Sequence, residues 1–305
     1  MLPLEAAKKE LKHRLSCRMP TPGAYQTILH DVTTYTRNKV EKPRNCLYKP
    51  MIIYMAQGRK AVAQGERKIL FGENELLVVG VDYPTTSALL EASEEKPTLT
   101  ISIDLDLNLI GQLSQAMPYA AVADEGHSGA LMTPPMDAEM LDAYLRLVAV
   151  LDRPNEAPVL GPMIIREIHF RLLLGPNGSH LRSLHSYGTQ KAHVALAVGW
   201  LRMNFKEPFR VEELAEKVHM SSSTFHRHFK EITSLSPVQF QKRLRLHEAQ
   251  RLMLAEDFGI AEVCDAVGYE NIAQFTREYK RHFGEPPRRD VMRWKRMESP
   301  LAIAE

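Results

Sequence analysis

The feature that most constrains the fold of this chain is a motif that occurs twice towards its C-terminal end. The first copy reads VEELAEKVHMSSSTFHRHF (residues 211–229) and the second reads IAEVCDAVGYENIAQFTREY (residues 260–279), with one residue inserted in the second. The matched positions are Leu214-Ala215 with Val263-Cys264, Val218 with Val267, Met220 with Tyr269, Phe225 with Phe275, Arg227 with Arg277 and Phe229 with Tyr279. Small residues let two helices approach closely and aromatic residues hold their crossing angle. Each copy therefore predicts a helix-turn-helix unit, over about 211–232 and 260–283.

The second helix of each unit has an inner and an outer face. Phe225 and Phe229, four residues apart, point inward in the first copy, as Phe275 and Tyr279 do in the second. A helix held in this way fits the major groove of DNA, and its outward residues are candidates for contacting bases. These candidates are Ser222, Ser223, His226 and Arg227 in the first copy and Asn271, Ala273, Gln274, Thr276 and Arg277 in the second. The paired arginines lead the set, because a guanidinium can bond guanine O6 and N7 together or clamp a phosphate.

The segment between the copies predicts one continuous helix. It reads SPVQFQKRLRLHEAQRLML, begins with the capping pair Ser236-Pro237 and carries an apolar stripe from Phe240 to Leu252. A rigid helix here fixes the separation of the two units, so both outer helices can enter successive major grooves on one face of a duplex. The candidate phosphate contacts are Lys230, Lys242, Arg243, Lys280 and Arg281.

Composition disfavours membrane-spanning and secreted proteins but does not by itself identify the function. The 305 residues suffice for two domains, and no apolar run approaches the about 18–20 residues needed to cross a membrane. The stripe of Leu4, Ala7, Leu11 and Leu15 among scattered charges predicts an amphipathic helix rather than a secretory signal, so we expect a cytoplasmic protein. From residue 191 onward there are 19 Lys and Arg against 16 Asp and Glu, a surplus too small to indicate nucleic-acid binding by itself.

The N-terminal half predicts a β-rich region followed by helices. Residues 48–109 are rich in β-branched and aromatic residues between turn signals, and residues 98–107 alternate apolar and polar side chains like a half-buried antiparallel strand. No helix-length crossover separates these strands, which favours a small barrel or sandwich. A helical stripe follows from Met140 to Leu151, and another helix is predicted after Pro162. The two helices could cap the β-structure or form a dimer interface, since both kinds of stripe look alike.

The tandem motif resembles that of the AraC/XylS family of bacterial transcription regulators. The resemblance is carried by ALAVGWLRMNFKEPFRVEELAEKVHMSSSTFHRHFKEITSLSPVQFQKRLRLHEAQRLML and IAEVCDAVGYENIAQFTREYKRHFGEPPRR, about a third of the chain. Ser234 stands where the family has glycine, at a helix C-cap. The stretches LYKPMIIYMAQGRKAV and PMIIREIHFRLLLGPNG resemble the subgroup of the family that has a cupin-like domain.

This resemblance implies an α+β fold, with an N-terminal cupin-like antiparallel β-barrel and helical segment and a C-terminal all-α domain. It divides the chain into a regulatory domain at residues 1–178, a linker at 179–191 and a DNA-binding domain at 192–298. The implied partners are double-stranded operator DNA and a small-molecule effector or stress signal, with RNA polymerase and a second copy of the chain as further candidates. It implies no catalytic residue, no metal and no cofactor.

The effector pocket is expected within the β-rich region. The candidates on its predicted strands are Tyr48, Tyr54, Leu77 and Val79, whose default role is in the core. A pocket built from them would be largely apolar, with few polar groups.

Two other functions compete with this interpretation. A cupin-type metalloenzyme with a DNA-binding appendage is disfavoured, because no histidine between His30 and His127 could supply the metal ligands. A thiol-based redox or electrophile sensor would use Cys46, placed before the first predicted strand with Lys42, Arg44 and Lys49 nearby to lower its pKa. A lone cysteine of this kind is more often a small apolar filler.

Overall fold

The computed structural model describes residues 3–117, 129–186, 188–255 and 258–298, with the side chains beyond residue 295 left aside. The strands are β1 (Gly23–Gln26), β2 (Val32–Thr36), β3 (Glu41–Tyr48), β4 (Met51–Gln57), β5 (Arg59–Gln64), β6 (Arg67–Gly72), β7 (Glu75–Val79), β8 (Tyr83–Glu91), β9 (Leu99–Asp104) and β10 (Leu131–Met132). The helices are α1 (Leu4–Arg18), α2 (Leu107–Ala116), α3 (Ala138–Leu151), α4 (Ala157–Leu174), α5 (Gly178–His185), α6 (Gln190–Met203), α7 (Val211–Lys217), α8 (Ser222–Thr233), α9 (Pro237–Ala255), α10 (Ile260–Ala266), α11 (Ile272–Phe283) and α12 (Pro287–Glu298). An N-terminal antiparallel β-domain thus precedes a helical C-terminal domain.

The β-domain contains two antiparallel sheets rather than one closed barrel. The six-stranded sheet has the order β1-β2-β9-β4-β7-β10, and the four-stranded sheet has the order β3-β8-β5-β6. Within the described ranges no ladder joins the sheets, so the side chains between them and the packed helices hold them together.

Both faces of the larger sheet are buried, which explains why β4 reads as a continuous apolar run. Ile52 and Tyr54 point towards α1, α3 and α4, and the Tyr54 ring lies 5.0 Å from that of Tyr144 on α3. Ile53 and Met55 point the other way, into the core shared with the smaller sheet. β9 follows the same rule: Ile101 packs towards the helices, while its polar residues face the space between the sheets.

The strands missed by sequence reasoning are short or polar. β1, β2 and β3 precede residue 48, where the β-rich region was expected to begin. β3 reads EKPRNCLY and contains Pro43, which a strand tolerates at a sheet edge, where β3 lies. Cys46 therefore lies inside a strand, and its predicted position before the first strand was wrong.

The helices of the N-terminal half cover the larger sheet. The amphipathic helix predicted at the start of the chain is confirmed as α1, which buries Ala7, Leu11 and Leu15. The stripe from Met140 to Leu151 is confirmed as α3, but the start predicted for the next helix was wrong. α4 begins at Ala157 and runs through Pro162. The helix continues there because its apolar face is buried, at the cost of one backbone hydrogen bond.

The predicted linker at residues 179–191 is largely helical. It contains most of α5, whose His180, Leu181 and Leu184 are buried against the β-domain. His180 and His185 lie 3.0 Å from the carbonyl oxygens of Gly129 and Gly80. The connection between the two halves of the chain is therefore packed against the sheets.

The two helix-turn-helix units are confirmed as α7–α8 and α10–α11, joined by α9. The matched apolar positions of both copies are buried, from the Leu214-Ala215 and Val263-Cys264 pairs to the inner aromatic residues. The turns match as well, with the left-handed φ of 56° at His219 and of 80° at Gly268. The α8 C-cap is Ser234 at φ 58°, equivalent to Gly284 at φ 84° after α11, so the serine tolerates the conformation for which the family has glycine.

We expect Gly268→Ala to lower the free energy of unfolding by about 2–4 kcal/mol. An added Cβ at Gly268 would overlap the Lys206 carbonyl oxygen, and the positive φ costs a side chain about 1–3 kcal/mol. Gly199→Ala on α6 is the matched control, because a Cβ there meets nothing within 4 Å, and it should be neutral or stabilising. Urea unfolding followed by circular dichroism compares the two variants. Equal stability of both would contradict this account of the turn.

Candidate functional site

The outer face of α8 presents the residues predicted for the first unit. Ser223, His226 and Arg227 are exposed and Ser222 is half-buried, while Ser221 caps the helix through the Thr224 N–H. Arg227 donates to His228 Nε2 across 3.3 Å, and His228 Nδ1 donates to Glu231 Oε2 across 2.8 Å. These contacts lie along the exposed edge of α8 and leave His226 without a hydrogen-bond partner among the described residues.

The opposite end of α8 is fastened to the β-domain. The last carbonyls of a helix lack partners within the helix, and here two of them accept hydrogen bonds from the β-domain. Ile232 O accepts from the Ala130 N–H at 2.8 Å, and Thr233 O accepts from the Tyr83 hydroxyl at 3.0 Å. The orientation of the first outer helix is thus set by the β-domain.

The outer face of α11 presents the predicted residues of the second unit, but some of these side chains already form hydrogen bonds with the backbone of α11. Asn271 is the N-cap and accepts from the Gln274 N–H at 2.9 Å, and Thr276 donates to Ile272 O at 2.8 Å. Ala273, Gln274 and Arg277 are exposed. Arg277 makes no hydrogen bond or ion pair to the described part of the chain, so its guanidinium is available to a ligand.

The predicted phosphate contacts fall into different environments. Lys230, Lys280 and Arg281 are exposed on the two outer helices. Lys242 donates to Glu278 at 2.8 Å, which ties α9 to α11. Arg243 is half-buried beside Tyr83, His247 and His282, so it lies at the junction with the β-domain. Its position favours a structural role there over a contact with phosphate.

Glu278 of α11 accepts hydrogen bonds from three side chains. Burial alone would raise the pKa of its carboxyl, but hydrogen bonds from Lys242, Tyr269 and Gln274 outweigh burial and hold the pKa below its usual value. The carboxylate therefore stays charged at neutral pH and keeps the middle of α11 attached to α9.

Arg245 on α9 connects the segment after α6 to the second unit and was not singled out from the sequence. It donates to Phe205 O at 2.7 Å and Lys206 O at 2.8 Å after α6, and to Gly268 O at 2.6 Å in the second turn. Its guanidinium also lies over the Tyr269 ring, 5.7 Å from the centroid. One side chain therefore holds the segment that follows α6 and the turn of the second unit at a fixed distance from α9.

Sequence reasoning also missed exposed residues on the outer side of the second unit. An offset of 50 residues aligns the caps Ser221 and Asn271, and it places Ile272 opposite Ser222. Ile272 is 48% exposed and adds an apolar side chain to this outer surface. Arg288 and Arg289, exposed in the first turn of α12, are further basic residues beside the second unit.

A cavity of about 320 Å³ lies between the two sheets. Its apolar wall includes Met51, Ile53 and Met55 of β4 and Leu89 of β8. Polar side chains come from β2, β9 and the smaller sheet, namely Tyr35, Arg37, Glu41, Cys46, Tyr48, Lys60, Thr98, Thr100 and Ser102. The volume lies within the range of small-molecule sites.

Of the four predicted pocket residues, Tyr48 lines this cavity and the others lie elsewhere. Tyr54 points to the opposite face of the sheet, where its hydroxyl donates to Asn74 Oδ1 at 2.9 Å. Leu77 and Val79 are buried in the core that the sheets share with the first helix-turn-helix unit. An alternating strand sends alternate residues to opposite faces, and the sequence alone did not show which face held the cavity.

The thiols have distinct surroundings. Cys46 lines the cavity, with its Sγ 3.3 Å from Ser87 Oγ, and the cation beside it is Lys60 rather than Lys42 or Lys49. Cys264 is buried in the small-residue position of the second unit, and its thiol donates to Tyr269 O at 3.3 Å. Cys264 therefore fills the small-residue position between the two helices of the second unit.

Metal ligation and membrane spanning can be assessed from the described residues. They contain no group of three or more His, Cys, Asp or Glu side chains placed to hold a metal ion. Nor does any described helix combine the length and apolar character that spanning a membrane requires.

Comparison with protein families gives two matches that follow this architecture. A model described as the AraC-type transcriptional regulator N-terminus matches residues 28–180, just over half of the chain. A helix-turn-helix domain model matches residues 214–291, which include most of both units.

Known proteins resemble the chain in its C-terminal part or in its fold. The activator RhaS of Pectobacterium carotovorum is 29% identical over 103 residues, 34% of this chain and 37% of RhaS. The regulator GbdR of Pseudomonas aeruginosa is 31% identical over 104 residues, 34% of this chain and 28% of GbdR. The aligned part is therefore well under two thirds of these curated relatives.

The solved structure of ToxT from Vibrio cholerae O395 bound to (E)-4-(8-methylnaphthalen-1-yl)but-3-enoic acid has a similar architecture. It aligns with a TM-score of 0.52 over 86% of this chain and 97% of ToxT, at 10% sequence identity. At this identity the likeness shows the fold alone. With the N-terminal model matching half of its length and tandem helix-turn-helix units following, the chain belongs to the AraC/XylS family of transcriptional regulators.

Proposed function

We propose that this protein is a sequence-specific DNA-binding transcription regulator whose two recognition helices, α8 and α11, read different bases. The observation that carries the proposal is the pair of exposed arginines, Arg227 and Arg277, at equivalent places on two helices whose inner faces are buried. Around them the first helix offers serine and histidine and the second offers alanine, glutamine and isoleucine, so the half-sites differ. We assign DNA binding to residues 192–298 and regulation to residues 1–178, close to the two family matches.

The proposed regulation uses a small-molecule effector held by the N-terminal domain. The cavity between the sheets supports it, as does the compound in the ToxT complex, a small organic acid bound by a protein of the same fold. The protein would act in the cytoplasm, where bacterial DNA lies, and RNA polymerase would be its partner at a promoter. No catalytic step is needed for this function.

Selection of bound duplexes from a random DNA library tests the proposal. We expect the chain to enrich a bipartite site with two unequal half-sites one helical turn apart, because α9 joins the two units and Arg245 holds the second turn to α9. Hydroxyl-radical footprinting should show protection on one face of the duplex. No enrichment, or one symmetric half-site, would contradict the proposal.

Arg227→Ala and Arg277→Ala should each weaken binding to the selected site by about 1–3 kcal/mol, with folding unchanged, because both side chains are exposed. Fluorescence anisotropy with labelled duplex measures the affinity. Arg153→Ala, exposed between α3 and α4, is the matched control and should bind as the wild type does. Unchanged affinity of both recognition-helix variants would refute the assignment. Loss of helical signal in them would mean that the arginines are structural.

We also propose that the chain forms a homodimer through α4. Exposed apolar residues lie along one stripe of this helix: Val159 (61% exposed), Met163 (62%), Phe170 (38%) and Leu174 (57%). Spacings of 4, 11 and 15 residues from Val159 keep them on one face, interrupted by Arg166. An exposed apolar stripe of this kind marks an interaction surface, and a second copy would bring an identical stripe.

Light scattering after size-exclusion chromatography tests the dimer. Met163→Glu should convert a wild-type dimer into a monomer, since it buries a charge in the apolar contact. Met203→Glu is the control, because Met203 is equally apolar and exposed but lies on α6. A wild-type protein that is monomeric at micromolar concentration, or equal dissociation of both variants, would exclude this interface.

A further inference from the structure

The charge of the cavity between the sheets is not balanced by the chain itself. Three charged side chains line it, Arg37, Glu41 and Lys60. Arg37 and Glu41 pair with each other, with Arg37 Nε 3.2 Å from Glu41 Oε1. Lys60 has no carboxylate within ion-pair distance among the described residues. The cavity therefore carries one uncompensated positive charge.

The surroundings of Lys60 keep this charge in place. Its ammonium lies over the Tyr48 ring, 5.6 Å from the centroid. Burial alone would lower the pKa of Lys60, but contacts with its polar neighbours, Tyr48 first, and the nearby Glu41 carboxylate outweigh burial, and the pKa is raised. Burial also raises the pKa of the Tyr48 phenol, so the phenol is neutral at physiological pH. The pair is an ammonium beside a neutral aromatic ring.

A second polar group at the same place lacks a partner. The Tyr48 hydroxyl is buried and has no partner at good hydrogen-bond geometry, although Lys60 and Ser87 lie close enough to lower its pKa by hydrogen bonding. Tyr48 as a whole is 9% exposed. A buried donor without an acceptor is destabilising, and a buried charge without a counterion is more so, so both groups favour an acceptor that the chain does not provide.

We propose that the cavity binds a small apolar molecule with a single carboxylate, and that the Lys60 ammonium is its counter-charge. The body of the ligand lies against Met51, Ile53, Met55 and Leu89, and its carboxylate accepts from Lys60. A cationic ligand would meet the unpaired ammonium, and a neutral one would leave it unpaired. The proposal rests on the proposed function only in naming this ligand as the effector.

The site lies where a bound molecule touches the strand next to the DNA-binding domain. Cys46 of β3 lines the cavity, while the adjacent Asn45 donates to Gln250 of α9 at 3.1 Å. Gln250 in turn donates to Asp290, which also accepts from the Tyr279 hydroxyl of α11 at 2.8 Å. The carboxylate site and the second recognition helix are therefore linked through one strand.

Isothermal titration of the full chain with octanoate and with its neutral analogue octanamide tests the proposal without DNA. Wild-type protein should bind octanoate roughly tenfold or more tightly than octanamide, the effect of one charge-assisted hydrogen bond. Lys60→Gln should remove that preference, while Lys60→Arg should keep most of it. Lys68→Gln, exposed on the neighbouring strand β6, is the matched control and should bind as the wild type does.

Equal binding of octanoate and octanamide, no saturable binding of octanoate at millimolar concentration, or full octanoate affinity in Lys60→Gln would each overturn the proposal. Thermal unfolding confirms that the variants are folded, and Lys60→Arg keeps the test valid if the glutamine variant is unstable. Affinity for the selected DNA site, measured without ligand, tests the proposed function separately. DNA binding with no octanoate binding would refute the ligand class alone.

Discussion

The structure depends on a hydrophobic core that the first helix-turn-helix unit shares with the β-domain. Phe225 and Phe229 of α8 belong to the same buried cluster as Val62, Phe71 and Tyr83 of the sheets. Burial of apolar surface is the main stabilising contribution to folding, so the unit draws much of its stability from the domain beside it. The hydrogen bonds from the β-domain to the last carbonyls of α8 also fix the direction of this helix. α8 therefore takes its orientation from the β-domain.

The second unit is held in a different way. Its core is a separate cluster built on the later half of α9, with Val263, Phe275 and Tyr279 at its centre. Polar contacts through Arg245 and Glu278 then fix its turn and its recognition helix to α9. One unit is thus positioned by the β-domain and the other by the connecting helix.

β3 lies where the β-domain meets α9 and α12. As an edge strand it presents one face to the cavity and contacts α9 through Asn45, and Arg44 lies over Trp294 of α12, 5.1 Å from the ring centroid. An edge strand has fewer ladder hydrogen bonds than a central one, so it can shift at lower cost. Its polar sequence suits this position between the cavity, α9 and α12. The same polar sequence is the reason that periodicity did not predict β3 as a strand.

The sequence by itself determined the tandem units, their buried residues, the connecting helix and the antiparallel character of the N-terminal half, because helical and strand periodicities are local properties of the chain. It also identified the exposed faces of α8 and α11, since amphipathic spacing separates inner from outer residues. Only the tertiary structure decided that the β-strands form two sheets, that Tyr54 faces the helices and that Lys60 enters a cavity. Those features depend on which surfaces meet across long sequence separations, and a strand buried on both faces carries no signal that distinguishes one face from the other.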